Sequence, residues 1–256
     1  MKQSLFDLAG RRALITGSSR GIGLAIARGL GEAGATVILN GRSTDDLEAA
    51  RGKLADAGIK VHAVAFDVTD QAAIETAIDA IERDVGPIDI LFNNAGIQRR
   101  MPFVEIPAET WREVLSVNLD SVFFMSQAVA KRMIPRGRGK IVNTCSLMSE
   151  QARATIAPYT AAKGAVKMLT KSMCVEWAKH GIQANGIGPG FIRTEMNVAL
   201  TTNKEFDAWV RGRTPAGRWG EVDELVGAAH FLASDASNFV NGQILYVDGG
   251  VLASIG

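Results

Sequence analysis

Short apolar runs alternate with amphipathic stretches along the whole chain. The apolar runs are found at 12–16, 36–40, 61–68, 89–96, 139–146, 182–190 and 243–250. The stretches between them have helical spacing at about 21–34, 44–57, 69–86, 108–133, 158–179 and 221–233. Several runs are apolar at both odd and even positions, which is typical of strands covered by helices on both faces. The pattern predicts a single domain with a doubly wound α/β fold and about seven parallel strands.

The third helical stretch shows how closely the pattern follows helical periodicity. Ile74, Ile78 and Ile81 recur at intervals of four and three residues and therefore share one face. Thr69 or Asp70 can cap the first turn with a side-chain oxygen. We expect this helix to bury its isoleucines against the sheet.

The composition is that of an ordinary globular protein. The 256 residues are 47% hydrophobic and 21% charged, with a net charge of +1, so neither nucleic acid nor an anionic membrane surface is indicated as a partner. Two cysteines do not make a disulfide framework, and the three histidines lack metal-ligand spacing. No apolar stretch reaches membrane-spanning length, and the N-terminus makes a poor signal peptide. The sequence predicts a soluble, cytoplasmic protein without a metal.

The first strand-to-helix turn is rich in glycine. It reads "TGSSRGIG" at 16–23, with Gly17, Gly21 and Gly23 in a GxxxGxG spacing. Glycine permits a tight turn and lets the backbone approach a pyrophosphate at the N-terminus of the next helix. A glycine-rich turn without a ligand is the alternative, but the position in the first strand–helix–strand unit favours dinucleotide binding.

The second apolar run ends without an acidic residue. Its end, "NGRST" at 40–44, lacks the carboxylate that usually binds the 2′,3′-diol of NAD. Arg42 follows at once, and Arg20 lies in the glycine turn; two guanidinium groups suit a 2′-phosphate. The sequence thus predicts that NADP(H) is preferred, with NAD(H) possible. A solvated Arg42, or one paired with Asp45 or Asp46, is the alternative.

Tyr159 and Lys163 are candidates for proton transfer. They are four residues apart in a helical stretch, so their side chains share one face. Free tyrosine, with a pKa of about 10, is a poor base, and a nearby ammonium favours the phenolate, so we expect a lowered pKa for Tyr159. An isolated pair of this kind is usually a surface feature. Ser146, Asn118 and the glycine turn make catalysis the favoured interpretation.

With these motifs the chain resembles the short-chain dehydrogenase/reductase family over essentially its whole length. Further matches are "NNAG" at 93–96, "SVNLDS" at 116–121, "YTAAK" at 159–163 and "GPG" at 188–190. The resemblance implies a Rossmann-like, NAD(P)-dependent oxidoreductase. Its catalytic residues would be Asn118, Ser146, Tyr159 and Lys163. Its cofactor contacts would be Gly17, Ser19, Arg20, Gly21, Ile22, Gly23, Arg42, Asp67, Val68, Asn94, Ala95, Gly96, Tyr159, Lys163, Pro189, Gly190, Ile192 and Thr194.

The resemblance also implies individual roles. Ser146 would bind the substrate oxygen, and Lys163 would hold the nicotinamide ribose, near which Asn93 is also expected. Asn118 would anchor a water in a proton relay, unless it is packed internally at a helix kink. Asp67 would contact the adenine, unless it caps the following helix.

Two loops point to the substrate. The segments "NNAGIQRRMPF" (93–103) and "SLMSEQAR" (146–153) resemble a branch of the family that reduces a keto group on C6 sugar acids. Such a substrate needs a cation for its carboxylate and hydrogen-bonding groups for its hydroxyls. The predicted substrate contacts are Arg99, Arg100, Ser146, Glu150 and Tyr159. Only one arginine of the first loop is expected to face inward, with Arg100 slightly favoured, and Arg153 and Arg193 are other candidates.

Two further expectations concern the lid and the assembly. The segment at about 194–215 breaks the alternation of strands and helices, and we expect it to form a helical lid in which Trp209 covers the site. The resemblance implies a homotetramer that packs the helices at 108–133 and 158–179 across an interface. The apolar stretch at 121–133 is consistent with this, but a helix buried within its own subunit has the same pattern.

Other functions stay open at this point. The substrate could be another polyol or keto acid, or a 3-oxoacyl thioester of a carrier protein, because this fold serves many substrates. A non-catalytic scaffold that senses nucleotides is a further alternative. A gap in the Ser–Tyr–Lys set would favour this alternative, but Ser146, Tyr159 and Lys163 are all present.

Overall fold

The computed structural model describes residues 4–255. Within these residues the strands form one parallel sheet in the order β3-β2-β1-β4-β5-β6-β7. The strands are β1 Arg12–Ile15, β2 Thr36–Gly41, β3 Val61–Ala65, β4 Ile90–Asn93, β5 Gly139–Thr144, β6 Ile182–Pro189 and β7 Ile244–Val247. This architecture confirms the predicted doubly wound sheet.

Helices connect successive strands. They are α1 Gly21–Glu32, α2 Thr44–Asp56, α3 Gln71–Asp84, α4 Ala108–Leu115, α5 Ser121–Arg136, α6 Ala157–Trp177, α7 Val198–Thr201, α8 Lys204–Arg213 and α9 Val226–Ala233. Among residues 4–255, none of the helices is long and apolar enough to cross a membrane.

The core consists of two apolar layers, one on each face of the sheet. Buried side chains of α1, α2 and α9 pack on one face, and those of α3, α5 and α6 pack on the other. The central strands are covered on both sides, so Leu14 and Ile15 of β1 are both fully buried although they point to opposite faces. This explains why the strand residues are apolar at odd and even positions alike.

Helix α3 forms as the sequence predicts. Asp70, rather than Thr69, caps it, because its carboxylate accepts hydrogen bonds from the N–H groups of residues 72 and 73. Ile74, Ile78 and Ile81 are at most 1% exposed. Burying side chains of this size contributes roughly 1.5–3 kcal/mol each, so the face that they share holds α3 on the sheet.

The predicted helix at 108–133 is interrupted. A π-helical turn, Ser116–Asp120, joins α4 to α5, and α5 continues to Arg136, where Gly137 ends it with a φ of 67°. Single π-helical turns are frequent at functional sites. The sequence pattern does not reveal this turn, because α4, the π-helical turn and α5 follow one another without a break and read as one helical stretch.

The contact between α1 and α9 gives a test of packing. A Cβ atom at Gly29 would overlap a methyl group of Val226, whereas one at Gly52 of α2 would meet nothing within 4 Å. Overpacking costs roughly 1–3 kcal/mol, and replacing a helical glycine with alanine otherwise stabilises by about 0.5–1 kcal/mol. We expect Gly29→Ala to lower, and the control Gly52→Ala to raise, the midpoint of urea unfolding. Equal stabilisation by both would contradict the close helix contact.

Candidate active site

The candidate site is a cleft at the carboxyl ends of the strands, where the strand order reverses between β1 and β4. Ligands of open α/β sheets bind at this position, because the helices that follow the two strands leave towards opposite faces. The cavity has a volume of about 530 Å³, which suits a small-molecule site. The predicted cofactor residues line it: Gly17, Ser19, Arg20, Gly21, Ile22, Gly23, Arg42, Asp67, Val68, Asn94, Ala95, Gly96, Tyr159, Lys163, Pro189, Gly190, Ile192 and Thr194.

The glycine turn is pressed against the end of β4. A Cβ atom on Gly17, whose φ is 60°, would lie 2.8 Å from Cα of Ala95. A Cβ atom on Gly23 would overlap the carbonyl oxygen of Gly17. Gly21 has a φ of 58° and would meet nothing within 4 Å. Glycine is therefore needed at 17 and 23 for close packing, and at 21 for a left-handed backbone beside open space.

Thr16 and Asn94 fasten this turn to β4. The Thr16 hydroxyl accepts hydrogen bonds from the N–H groups of Asn94 (2.9 Å) and Ala95 (3.0 Å). The Asn94 amide donates to the carbonyls of Thr16 and Gly17, both at 3.0 Å. The turn thus has a fixed backbone next to the N-terminus of α1, where unpaired N–H groups suit a phosphate.

Asn93 does not reach the cleft. Its buried amide donates to Ser126 and to Asn143, both at 2.8 Å, so the expected position beside the cofactor ribose is wrong. Successive residues of a strand point to opposite faces, and here it is Asn94 and not Asn93 that lines the cleft.

The end of β2 offers cations and no carboxylate from the strand. Asn40 is buried, and its side-chain amide donates a 3.1 Å hydrogen bond to the carbonyl of Phe66. Gly41 has no side chain, and Arg42 and Arg20 are exposed at the cleft. In the described part of the chain Arg42 forms no ion pair with Asp45 or Asp46.

Asp67 lies in the cleft wall, but its carboxylate is already engaged. Its Oδ1 accepts from the backbone N–H (2.9 Å) and the hydroxyl (2.8 Å) of Thr69. The cap of α3 is Asp70, so the alternative interpretation of Asp67 as the helix cap is wrong. Asp67 orders the turn between β3 and α3 at the edge of the cleft.

Ser146, Tyr159 and Lys163 come together on the other side of the cleft. Tyr159 and Lys163 lie one turn apart on α6, with Nζ of Lys163 5.6 Å from the centroid of the tyrosine ring. Nζ donates a 2.6 Å hydrogen bond to the carbonyl of Thr144. The backbone N–H of Met148 donates to Oγ of Ser146 (3.1 Å), and Ser149 donates to the carbonyl of Lys163 (2.9 Å). These bonds fix the turn after β5 against α6.

The electrostatics of this group differ from the prediction. The pKa of Tyr159 is raised, because burial disfavours the phenolate; a hydrogen bond with Ser146 opposes this effect. Burial also lowers the pKa of Lys163 to about 8. The expected lowering of the Tyr159 pKa by Lys163 is therefore wrong for this structure. The phenol is protonated at neutral pH, which is the form that a proton donor requires.

Asn118 is buried in the π-helical turn, and its side chain is fully used. Its amide donates to the carbonyls of Ile97 (2.9 Å) and Val114 (2.8 Å), and its Oδ1 accepts from the N–H of Ile97 (3.3 Å). The side chain of Asn118 is therefore packed internally at the helix irregularity, as the alternative interpretation of the sequence held. Asn118 fixes the loop after β4 to the π-helical turn, and it still lines the cleft.

The two arginines of the loop after β4 have different partners. Arg99 forms an ion pair with Glu113, with Nη2 2.6 Å from Oε1. Arg100 donates to the side-chain carbonyl of Gln98 at 2.8 Å, and burial lowers the pKa of its guanidinium. Both line the cleft. The structure therefore neutralises Arg99 and leaves the charge of Arg100 uncompensated among the described residues.

Glu150 lies outside the cleft, so its predicted contact with substrate is wrong. Its Oε2 lies 2.6 Å from Nζ of Lys167, and its Oε1 accepts a 2.6 Å hydrogen bond from the hydroxyl of Tyr246. These two interactions hold the carboxylate away from Ser146. Arg193, another candidate, is paired with Glu221 at 3.3 Å and is not part of the cleft wall.

The segment between β6 and α9 contributes an aromatic cluster. Phe206 and Trp209 of α8 stack with their ring centroids 5.4 Å apart, and both rings meet the edge of Phe191. Trp209 is 46% exposed, whereas Trp219 is 2% exposed. The cleft wall includes Trp219 and Leu200 but not Trp209, so the expectation that Trp209 covers the site is wrong.

Comparison with known proteins identifies the family. A family model described as enoyl-(acyl carrier protein) reductase matches residues 17–252. The chain is 58% identical to gluconate 5-dehydrogenase of Gluconobacter oxydans (strain 621H) over 251 residues, covering 98% of each chain. The chain belongs to the short-chain dehydrogenase/reductase family. As a member of this family it is an oxidoreductase, as the sequence predicts.

Two further relatives of this short-chain dehydrogenase/reductase support the same grouping. The 5-keto-D-gluconate 5-reductase of Escherichia coli (strain K12) is 53% identical over 98% of this chain and 99% of its own. A crystal structure of a gluconate 5-dehydrogenase from Burkholderia cenocepacia J2315, in complex with NADP and tartrate, is 56% identical with a TM-score of 0.95 over 98% of each chain. The recognition of the family from its motifs is confirmed.

Some cleft residues of this short-chain dehydrogenase/reductase carried little signal in the sequence. Trp219 and Leu200 belong to no spaced motif, and their place in the cleft follows from how 191–220 folds back. Arg153 was one candidate cation among several, and the structure places it in the cleft wall. The four catalytic candidates Asn118, Ser146, Tyr159 and Lys163 all line the cleft.

Proposed function

We propose that this oxidoreductase reduces 5-keto-D-gluconate reversibly to D-gluconate with NADP(H). The observation that carries the proposal is the uncompensated guanidinium of Arg100 in the same cleft as Ser146, Tyr159 and Lys163. A keto acid needs a proton donor at its carbonyl and a cation for its carboxylate. The names of the relatives, gluconate 5-dehydrogenase and 5-keto-D-gluconate 5-reductase, support this substrate class.

The cleft fits a dinucleotide. The turn at 17–23 leaves open space at Gly21 beside the N-terminus of α1, which suits a pyrophosphate. Arg20 and Arg42 would bind the 2′-phosphate. The remaining predicted residues, from Asp67 to Thr194, would line the adenine, ribose and nicotinamide positions. When bound, the nicotinamide supplies or accepts the hydride.

Tyr159 would move the proton. In the reducing direction its hydroxyl donates the proton to the carbonyl oxygen, and the phenolate that remains lies near Nζ of Lys163. With a pKa of about 8, Lys163 is mainly an ammonium at pH 7, and its charge would offset part of the cost that burial imposes on the phenolate. In the oxidising direction the phenolate takes the proton back.

Ser146 and Asn118 would support this step. The Ser146 hydroxyl can donate to the substrate oxygen as its negative charge develops, and its own lone pair is oriented by the N–H of Met148. Since the amide of Asn118 is occupied by backbone groups, a relay water would have to use the backbone of the π-helical turn rather than this side chain.

The domain, assembly and location are part of the same proposal. We propose a single cofactor-binding domain in which 194–215 is the substrate lid, working as a homotetramer in the cytoplasm. Helices α4, α5 and α6 keep large apolar side chains exposed, which supports contacts between subunits. These side chains are Trp111, Phe123, Met168 and Val175.

A substrate panel tests the proposed function. NADPH oxidation at 340 nm would be followed with 5-keto-D-gluconate, other keto-sugar acids, a 3-oxoacyl thioester and the uncharged analogue of 5-keto-D-gluconate in which C1 is a primary alcohol. We expect the highest kcat/KM with 5-keto-D-gluconate and at least tenfold less with the uncharged analogue, because one charged hydrogen-bonding group is lost. A higher kcat/KM with the thioester would refute the proposal.

Arg42 should determine the cofactor preference. Charged hydrogen bonds contribute roughly 1.5–3 kcal/mol, so Arg42→Ala should lower kcat/KM for NADPH by about ten- to a hundredfold and leave that for NADH nearly unchanged. Gly41→Asp should then favour NADH further. It fits sterically, since a Cβ atom there meets nothing closer than 3.6 Å.

Arg51→Ala is the matched control for Arg42→Ala. Arg51 also belongs to the α2 region, but it pairs with Glu48 outside the cleft, so both cofactors should be used as in the wild type. Equal use of NADPH and NADH by the wild-type enzyme would overturn the assignment of the phosphate to Arg42.

A further inference from the structure

Arg153 is a cation in the cleft wall, and the proposed reaction assigns it no role. It follows the turn Leu147–Ser149 and precedes α6, and it is partly buried. Its Cζ lies 4.9 Å from the centroid of the Phe206 ring. Within residues 4–255 no carboxylate lies within ion-pair distance of it. Its guanidinium is therefore held by an aromatic face and not by an opposite charge.

Arg100 adds a second cation to the same part of the cleft. Burial lowers the pKa of both guanidinium groups, and the charge of Arg100 lowers that of Arg153 further. Two partly buried cations that repel each other are unfavourable unless an anion lies between them. Arg99, by contrast, has its own carboxylate in Glu113. Of the three arginines in these two loops, Arg100 and Arg153 are thus the ones without an ion-pair partner among the described residues.

Phe206 connects Arg153 to the lid segment. It lies on α8 and packs against Phe191, Trp209 and Trp219 with ring centroids 5.4–6.4 Å away. The indole N–H of Trp219 donates a 2.8 Å hydrogen bond to Asp207, which lies on α8 next to Phe206. The ring under Arg153 is therefore part of α8, and α8 is linked to the buried Trp219.

A guanidinium can use its face and its edge at the same time. Its plane packs on an aromatic ring, while the N–H groups at its edge remain free to hold a carboxylate. We propose that Arg153 is a specificity-determining residue that binds the substrate carboxylate together with Arg100, and that its contact with Phe206 couples this acid group to closure of α8. This inference rests on the proposed reduction of a sugar acid.

The coupling has a reciprocal consequence. If the packing of α8 orients the guanidinium of Arg153 for a carboxylate, it increases the affinity for that carboxylate. A bound carboxylate must then stabilise the packing of α8 by the same coupling free energy. An acid substrate would close the lid over itself, and an uncharged analogue would not. The lid would thereby help to select acids rather than only exclude water.

Kinetics with paired substrates test the role of Arg153. Arg153→Met should lower kcat/KM for 5-keto-D-gluconate by about ten- to a hundredfold, mainly through KM, and change that for the uncharged analogue less than about threefold. Phe206→Leu should give a smaller selective loss, about three- to tenfold, and Phe206→Tyr, which keeps the ring, should restore selectivity. Arg193→Met is the control, since Arg193 pairs with Glu221 outside the cleft.

Hydrogen exchange tests the coupling independently of turnover. With NADPH and D-gluconate, a pair that cannot react, exchange in residues 204–213 should slow in the wild type and not in Arg153→Met. Two outcomes would overturn the inference and leave the proposed function intact, provided that the wild type prefers the acid. Arg153→Met would either keep that preference or lose kcat/KM to the same extent with the acid and with the uncharged analogue. A wild-type enzyme without acid preference would overturn both.

Discussion

Tyr159→Phe should lose nearly all turnover while the cofactor still binds. A positioned acid typically contributes 10²–10⁴-fold to rate, and this substitution removes one hydroxyl from a ring that α6 holds beside Ser146 and Lys163. We expect kcat for 5-keto-D-gluconate to fall by about a hundredfold or more. The dissociation constant of NADPH, measured by fluorescence titration, should change by less than about threefold, because the ring itself remains.

The chain supplies a matched control for this experiment. It has two tyrosines, and Tyr246 lies outside the cleft wall with its hydroxyl on Glu150 at 2.6 Å. Tyr246→Phe removes the same group from a residue that does not face the substrate, so kcat should stay within a few-fold of wild type. If Tyr159→Phe also kept kcat within about tenfold, another group would have to be the proton donor.

Arg100→Met should discriminate between acid and neutral substrates. A charged pair between guanidinium and carboxylate in a partly dry site contributes roughly 1.5–3 kcal/mol, so kcat/KM for 5-keto-D-gluconate should fall by about ten- to a hundredfold. The uncharged analogue with a primary alcohol at C1 should be reduced almost as before. Both would be followed as NADPH oxidation under the same conditions.

Arg99→Met is the control that separates position from charge. It removes the same charge from the neighbouring residue, but that charge is already neutralised by Glu113. We expect less than about threefold change with either substrate. A selective loss in Arg99→Met, or an unselective one in Arg100→Met, would place the carboxylate elsewhere in the cleft.

The two arginines also show how far local sequence reasoning reaches. The sequence predicted that only one arginine of this loop faces inward, since neighbouring residues of an extended segment point to opposite sides, but both line the cleft. It could not show which of them was compensated, because Glu113 is 14 residues further along and on a helix. The same limit applied to Glu150, whose partner Tyr246 is 96 residues away.

The sequence by itself determined the features that depend on local order. The alternation of strands and helices, the GxxxGxG turn and the spacing of Tyr159 and Lys163 all follow from periodicities of a few residues. Even the missing acid after β2 could be read directly, because chain order places that residue at the end of its strand.

The tertiary structure decided what depends on burial and on contacts between distant segments. Burial set the direction of the Tyr159 pKa, against the expected influence of Lys163. Packing turned Trp219 rather than Trp209 into the cleft and brought Phe206 over Arg153. Desolvation and Coulomb interactions depend on distances through space, and distances between segments far apart in the chain exist only after the chain has folded.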